Sequence, residues 1–155
     1  MASEENSKPL LLSLLQAFYW CDESLQNYFR ARGWPKVTRP QSMVMAHIVL
    51  GVNRPSEIAR NMGVSRQAIH ATINQMIELG IVSLADDPTN RRVKIVTPTN
   101  LGETMHIDAQ QAIRMQTEEL ARRLGEDDLR QMSRVLGRDW GPPLLFDPPL
   151  SGSDA

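Results

Sequence analysis

Ser65, Arg66, Gln67, His70, Ala71 and Asn74, followed some twenty residues later by Arg91 and Arg92, are side chains of the kind that read duplex DNA. The amide of Gln67 or Asn74 can pair bidentately with adenine in a major groove, and the Ala71 methyl can touch that of thymine. Arg66 and His70 flank that row. An Arg near a hairpin tip can enter a narrow minor groove. Other chemistry is poorly served. His47, His70 and His106 are scattered, and His106 and Asp108 lie two apart, a spacing that points them in different directions on a helix. There is no His-Glu-x-x-His run, no paired-cysteine metal spacing, no Gly-rich phosphate loop and no Gly-x-Ser-x-Gly elbow. The chain is therefore expected to be no enzyme, with no catalytic residues, metal or cofactor.

The elements that must position these residues are legible one by one. Pro55 suits the first turn of a helix, where a missing N–H costs nothing. Ile58, Ala59 and Met62 follow at helical spacing, and Gly63 suits a left-handed stop. Val64 is expected to plug the corner, and Ser65 has the side chain of an N-cap. In the next helix Ile69, Ile73, Met76 and Gly80 share one face, which turns Gln67, Ala71, Asn74 and Glu78 outward. The period then becomes alternating. Ile81-Val82-Ser83-Leu84 is expected to pair with Val93-Lys94-Ile95-Val96 across a loop of Asp, Pro, Thr and Asn, with Arg91 and Arg92 near its tip. Two short helices, a tight turn and a basic hairpin in this order describe a winged helix-turn-helix, and double-stranded DNA is the expected partner.

Three stretches carry a resemblance to a known family: Gly63-Val64-Ser65-Arg66-Gln67-Ala68-Ile69-His70, Asp87-Pro88-Thr89-Asn90-Arg91-Arg92, and Val96-Thr97-Pro98-Thr99-Asn100-Leu101-Gly102. Together they resemble the MarR family of bacterial transcriptional regulators. Gly33-Trp34-Pro35-Lys36-Val37-Thr38-Arg39-Pro40-Gln41 is similar to the start of that family's second helix, and the resemblance spans roughly residues 10–138. It implies a homodimeric regulator, a repressor, whose first and last helices interlock with those of a second subunit. Two recognition helices about one DNA turn apart, ~34 Å, would then read a pseudo-palindromic site. It also implies that small aromatic effectors bind beneath the DNA-binding lobe. Two positions depart from the family pattern. Asn90 stands where an Asp usually braces the wing Arg two positions later, so charge-assisted pairing to Arg92 is missing. Pro98 stands where the wing usually closes, so the second strand is expected to end one or two residues early.

The expected fold is mainly α with a small β-hairpin wing, a winged helix-turn-helix core between N- and C-terminal dimerisation helices. Its parts are a flexible N-terminus (1–9), a first dimerisation helix (10–34), the DNA-binding lobe (38–100), C-terminal dimerisation helices (101–140) and a Pro-rich tail (141–155). Leu11, Leu14, Leu15, Phe18, Cys21, Leu25 and Phe29 make a helical stripe ended by Gly33 and Pro35. Thr38 and Gln41 have capping-box spacing. Residues 101–155 offer helices from about Leu101 to Leu124 and from about Glu126 to Arg138. The small DNA-binding core has too little surface to cover both terminal stripes.

The formal net charge is −1, but residues 54–100 hold six Lys/Arg against four Asp/Glu, whereas residues 101–155 hold six against ten. Binding would therefore rest on a few placed arginines and on two copies rather than on a broad basic field. Six of the eight aromatics lie within residues 18–34. Tyr19, Trp20, Tyr28 and Trp34, with Met43 and His47, form the candidate effector pocket, or else belong to a dimer core. Cys21 is the single cysteine, so no intrachain disulfide can form; with no secretory signal or membrane span in view, the chain reads as cytoplasmic. Two alternatives stay open. One is a peroxide-sensing regulator using Cys21, although no neighbouring cation would activate its thiol. The other is a winged-helix protein-interaction module without DNA binding.

Overall fold

The computed structural model describes residues 8–147. The order is α1 (Leu10–Ala31), α2 (Arg39–Val49), α3 (Pro55–Met62), α4 (Arg66–Glu78), β1 (Val82–Asp87), β2 (Asn90–Pro98), α5 (Asn100–Leu124) and α6 (Glu126–Leu136). The strands form a two-stranded antiparallel sheet. The architecture is thus a mainly helical winged helix-turn-helix.

Local chemistry accounts for most boundaries. Pro55 opens α3, and Gly63 closes it in the left-handed region at φ 66°. Gly63 N–H donates to Arg60 O and Val64 N–H to Ala59 O, the paired bonds of a Schellman stop. In α2 the Gln41 side chain accepts from the Thr38 N–H at 2.9 Å, as the capping-box spacing predicts.

The chain divides at Glu118/Glu119 into two compact units. In the first, Val44, Ile58, Ile69, Ile73, Met76, Ile81, Val82 and Val96 are fully buried and form the core, joined by Phe29, Val37 and Met105. Three of the four predicted inward residues, Ile69, Ile73 and Met76, are in it, whereas Gly80 falls past the end of α4 and is half-buried. The long stripe of α1 splits instead. Phe29 enters this core and Leu25 packs against it, while Leu11, Leu15 and Phe18 are exposed. In the second unit no residue of α6 is buried. Residues 141–147 are not helical, as their prolines predict, and residues 148–155 and 1–7 lie outside the described part.

Two expectations are corrected. Val64 does not plug the corner: it is 39% exposed. As the second residue past the helix it contributes its N–H to the Schellman turn, while Ala59 and Ile69 on the flanking helices are buried. The hairpin is also longer than expected, and Pro98 lies within β2, paired with Val82. Thr99 N–H donates to Ile81 O at 3.1 Å, and antiparallel pairs alternate between bonded and non-bonded types. Pro98 therefore falls at a non-bonded position, where its lack of an N–H removes no ladder bond.

Candidate nucleic-acid interface

Ser65 caps α4: its Oγ accepts from Ala68 N–H at 3.1 Å, so the first turn is held and the hydroxyl hydrogen stays available. Arg66, Gln67, His70, Ala71 and Asn74 are all exposed along one side of the helix. Ile69, Ile73 and Met76 anchor the opposite side in the core. Among the described residues, none of the Arg66, Gln67, His70 and Asn74 side chains has a hydrogen-bond partner, which leaves their donors and acceptors free for an external ligand. The row is polar, projecting and rigidly backed, the requirements of a base-reading face.

Arg91 and Arg92 are exposed on the wing. Asn90 Oδ1 accepts from the backbone N–H of Arg92 at 3.2 Å, so it shapes the turn and leaves the guanidinium unbraced. The fixed point of the hairpin is the last residue of β1. Asp87 is only 5% exposed. Its Oδ1 accepts from the Thr89 N–H at 2.8 Å and from the Thr89 hydroxyl at 2.7 Å, and its Oδ2 accepts from Arg54 Nε at 2.8 Å. The Asp-Pro-Thr spacing was the available signal, since Asp commonly bonds the backbone two residues on.

These bonds, those from Thr89 first and that from Arg54 next, hold the Asp87 carboxyl down at about 2. Its folded value lies below the unfolded one, so its contribution is fully present above about pH 4 and is lost as pH falls toward 2. Amide exchange at Thr89 should stay protected, after correction for intrinsic rates, from neutral pH to about pH 4 and weaken below it. Loss of protection already at pH 6 would contradict this assignment.

Residues 36–93 match the family model described as MarR family. The winged-helix lobe thus resembles the MarR family. No curated protein sequence matches the chain. Solved structures agree on the fold. The reduced form of MarR from E. coli is 19% identical, with 85% of this chain and 96% of that one covered at a TM-score of 0.67. The transcriptional regulator Tm0710 from Thermotoga maritima is 18% identical, with 84% and 90% covered at 0.58. A MepR mutant from S. aureus, bound to an oligodeoxyribonucleotide, is 11% identical, with 84% and 94% covered at 0.54. The chain thus has the fold of MarR-family transcriptional regulators.

Between the winged-helix lobe and the helices around it lies an apolar cleft of about 360 Å³, walled by Leu25, Phe29, Met45, Leu50, Met105 and Ile113 among others. Ser42 and His106 are its polar members, and Ile81 and Gly102 form part of its wall. The six candidate effector residues do not line it. Tyr19 stacks under the Arg39 guanidinium at 4.2 Å, and Tyr28 lies 5.9 Å from that of Arg32. Trp34 Nε1–H donates to Asp108 Oδ2 at 2.7 Å and lines a second, more polar cavity with Asp22, Glu23, Arg30 and Arg39. Trp20 and Met43 are half-buried, and the His47 Nδ1 lies 2.7 Å from Met43 O. The aromatics are close in sequence, but those on α1 meet different neighbours and Trp34 lies past the end of the helix. The cleft draws on α1, α2 and α5, an assembly no sequence window contains.

Cys21 is half-buried, and burial pushes its thiol up from the ordinary value. A thiol shifted in that direction is less ionised at neutral pH and a poorer peroxide nucleophile. Among the described residues no group of His, Cys, Asp and Glu is arranged to hold a metal ion. No helix there is long and apolar enough to cross a membrane.

Proposed function

We propose that two copies of this chain form a dimer that binds a pseudo-palindromic duplex and represses transcription, in the cytoplasm where such DNA is found. The observation that carries the reading is the free polar row of α4, with its back face locked into the core, next to a wing that exposes two arginines. Gln67 and Asn74 would read bases in the major groove, Ala71 would meet a thymine methyl, and Ser65, Arg66 and His70 would flank them on backbone or base edge. Arg91 and Arg92 would reach the adjacent minor groove. Dimerisation is supported by the exposed Leu10, Leu11, Leu12, Leu15 and Phe18 of α1 and by Ile107, Ile113 and Met115 of α5. An apolar face of this extent calls for a cover. The apolar cleft supports an effector response. A ligand favouring one dimer shape would change the separation of the two α4 helices, and ~2–3 kcal/mol of preference would shift DNA affinity about a hundredfold.

The test is salt-dependent binding to duplexes from upstream of the chain's own coding region. Arg92→Ala should weaken all bound sequences by about tenfold and flatten the salt slope. Gln67→Ala should cost a comparable factor on the preferred site and little on competitor DNA, relaxing selectivity. Absence of binding above competitor at low salt would overturn the reading in favour of a protein-interaction module.

A further inference from the structure

We infer that Arg54 is the positioning residue of the wing: through Asp87 it holds the turn from which Arg91 and Arg92 project, the task that Asn90 leaves undone. The inference rests on the DNA-binding reading above and deepens it.

Arg54 stands immediately before α3, and as a cation at the edge of a helix-turn-helix it would ordinarily be counted as a phosphate contact. Its guanidinium is engaged elsewhere. Nε donates to Asp87 Oδ2 at 2.8 Å, Nη2 pairs with the same oxygen and reaches Thr89 Oγ1 at 3.3 Å, and Nη1 lies 4.0 Å from Glu57. Asp87 in turn is buried and receives both Thr89 donors on its other oxygen. One arginine thus ties the start of α3 to both sides of the Pro88-Thr89 turn, 33 residues further along the chain.

The wing needs such a tie. In the ladder Asp86 pairs with Lys94, but the next pair is Asp87 with Asn90, so Arg91, Arg92 and Val93 bulge from β2 with no partner across the sheet. A bulge re-aims side chains at the cost of local ladder bonds. Nearer the sheet's base, Val96 N–H donates to Asn53 O at 2.9 Å. That backbone bond fixes β2 beside the residue preceding Arg54 and leaves the far end of the hairpin to the Arg54–Asp87–Thr89 network. Ionic hydrogen bonds to a buried carboxylate are stronger and more directional than the neutral Asn90 contact. Withdrawing Arg54 to meet a phosphate would leave that carboxylate without its cation.

The experiment compares wild type, Arg54→Ala, Arg91→Ala/Arg92→Ala and the triple variant on one upstream duplex over a range of salt, with thermal unfolding to establish that each is folded. Arg54→Ala should lower affinity about tenfold in the wild-type background and less than twofold once both wing arginines are gone, because it acts through them. A merely structural loss, or a phosphate contact of Arg54 itself, would be additive and would overturn the inference, as would unchanged affinity. Asp87→Asn should reproduce the same non-additive pattern and serves if Arg54→Ala does not fold. In free protein, amide exchange at Thr89 and Arg92 should accelerate in Arg54→Ala while Ile73 stays protected. Unchanged exchange at Thr89 and Arg92 refutes the tie whatever the DNA result. Accelerated exchange in Arg54→Ala together with a wild type that binds no duplex would sink the DNA reading and with it the assignment of the tie to DNA contact.

Discussion

Gly102→Ala lowers stability by about 3 kcal/mol, although the same change in an exposed helix interior would raise it by about 1. A Cβ at Gly102 would stand 2.0 Å from the backbone oxygen of Ile81 and 3.1 Å from its carbonyl carbon. Neither side can yield cheaply. Ile81 is buried, and its oxygen accepts the Thr99 N–H at 3.1 Å. Thr99 bonds in two directions, its hydroxyl donating to Gly80 O and accepting from Gly102 N–H. Relief of the clash would therefore break the knot that joins the end of α4, the entry to β1 and the first turn of α5. At ~2–4 °C per kcal/mol for a chain of this size, the midpoint of thermal unfolding should fall by about 10 °C. An unchanged or higher midpoint would show that α5 does not approach Ile81 this closely. Gly102 and Ile81 also belong to the apolar cleft, so under the proposed effector response a ligand there would touch the joint that sets where α4 ends.

Arg39→Ala costs about 2 kcal/mol, and Asp22→Ala markedly less, even though both remove the same ion pair. The asymmetry comes from burial. Arg39 Nε meets Asp22 Oδ2 at 2.8 Å, but the Asp22 side chain is 5% exposed while that of Arg39 is 39% exposed. Without Arg39 the carboxylate is left charged in a site with little water; without Asp22 the guanidinium can turn to solvent. Arg39 additionally loses its place over the Tyr19 ring, at 4.2 Å, worth about 0.5–1 kcal/mol. Adding Asp22→Asn to Arg39→Ala should recover about half of the loss, since the buried group then carries no charge. Urea titration of the four proteins provides the comparison. Equal losses in the two single variants would mean that water reaches Asp22 freely. The pair joins α1 to the first turn of α2, so a weakened variant should also loosen the helix on which the dimer reading depends.

What could be read from the chain alone was whatever depends on neighbours a few residues away. Pro55, Gly63 and Ser65 set the ends of two helices through backbone geometry and a single cap. Ile69, Ile73 and Met76 chose the inner face of α4 by period, and so determined that Arg66, Gln67, His70, Ala71 and Asn74 project outward. The hairpin and its exposed arginines followed from the change of period after Gly80. The other decisive contacts join residues far apart. Val64 was expected inside the corner, but the Schellman bonds to Ala59 and Arg60 close the turn and leave it outside. Pro98 remains in β2 because of its place in a bonding alternation set by Ile81 and Thr99. The apolar stripe of α1 divides into a core end and an exposed end because the lobe offers only enough surface for Leu25 and Phe29. Of the aromatics of residues 18–34 only Phe29 lines the cleft, since successive helical positions turn by about 100° and face different neighbours. The brace between Arg54 and Asp87, and the contact of Gly102 with Ile81, exist only once strands and helices have docked. Periodicity and capping are properties of a local backbone, whereas a cavity, a buried ion pair or a close approach is a property of two surfaces whose meeting no local pattern encodes.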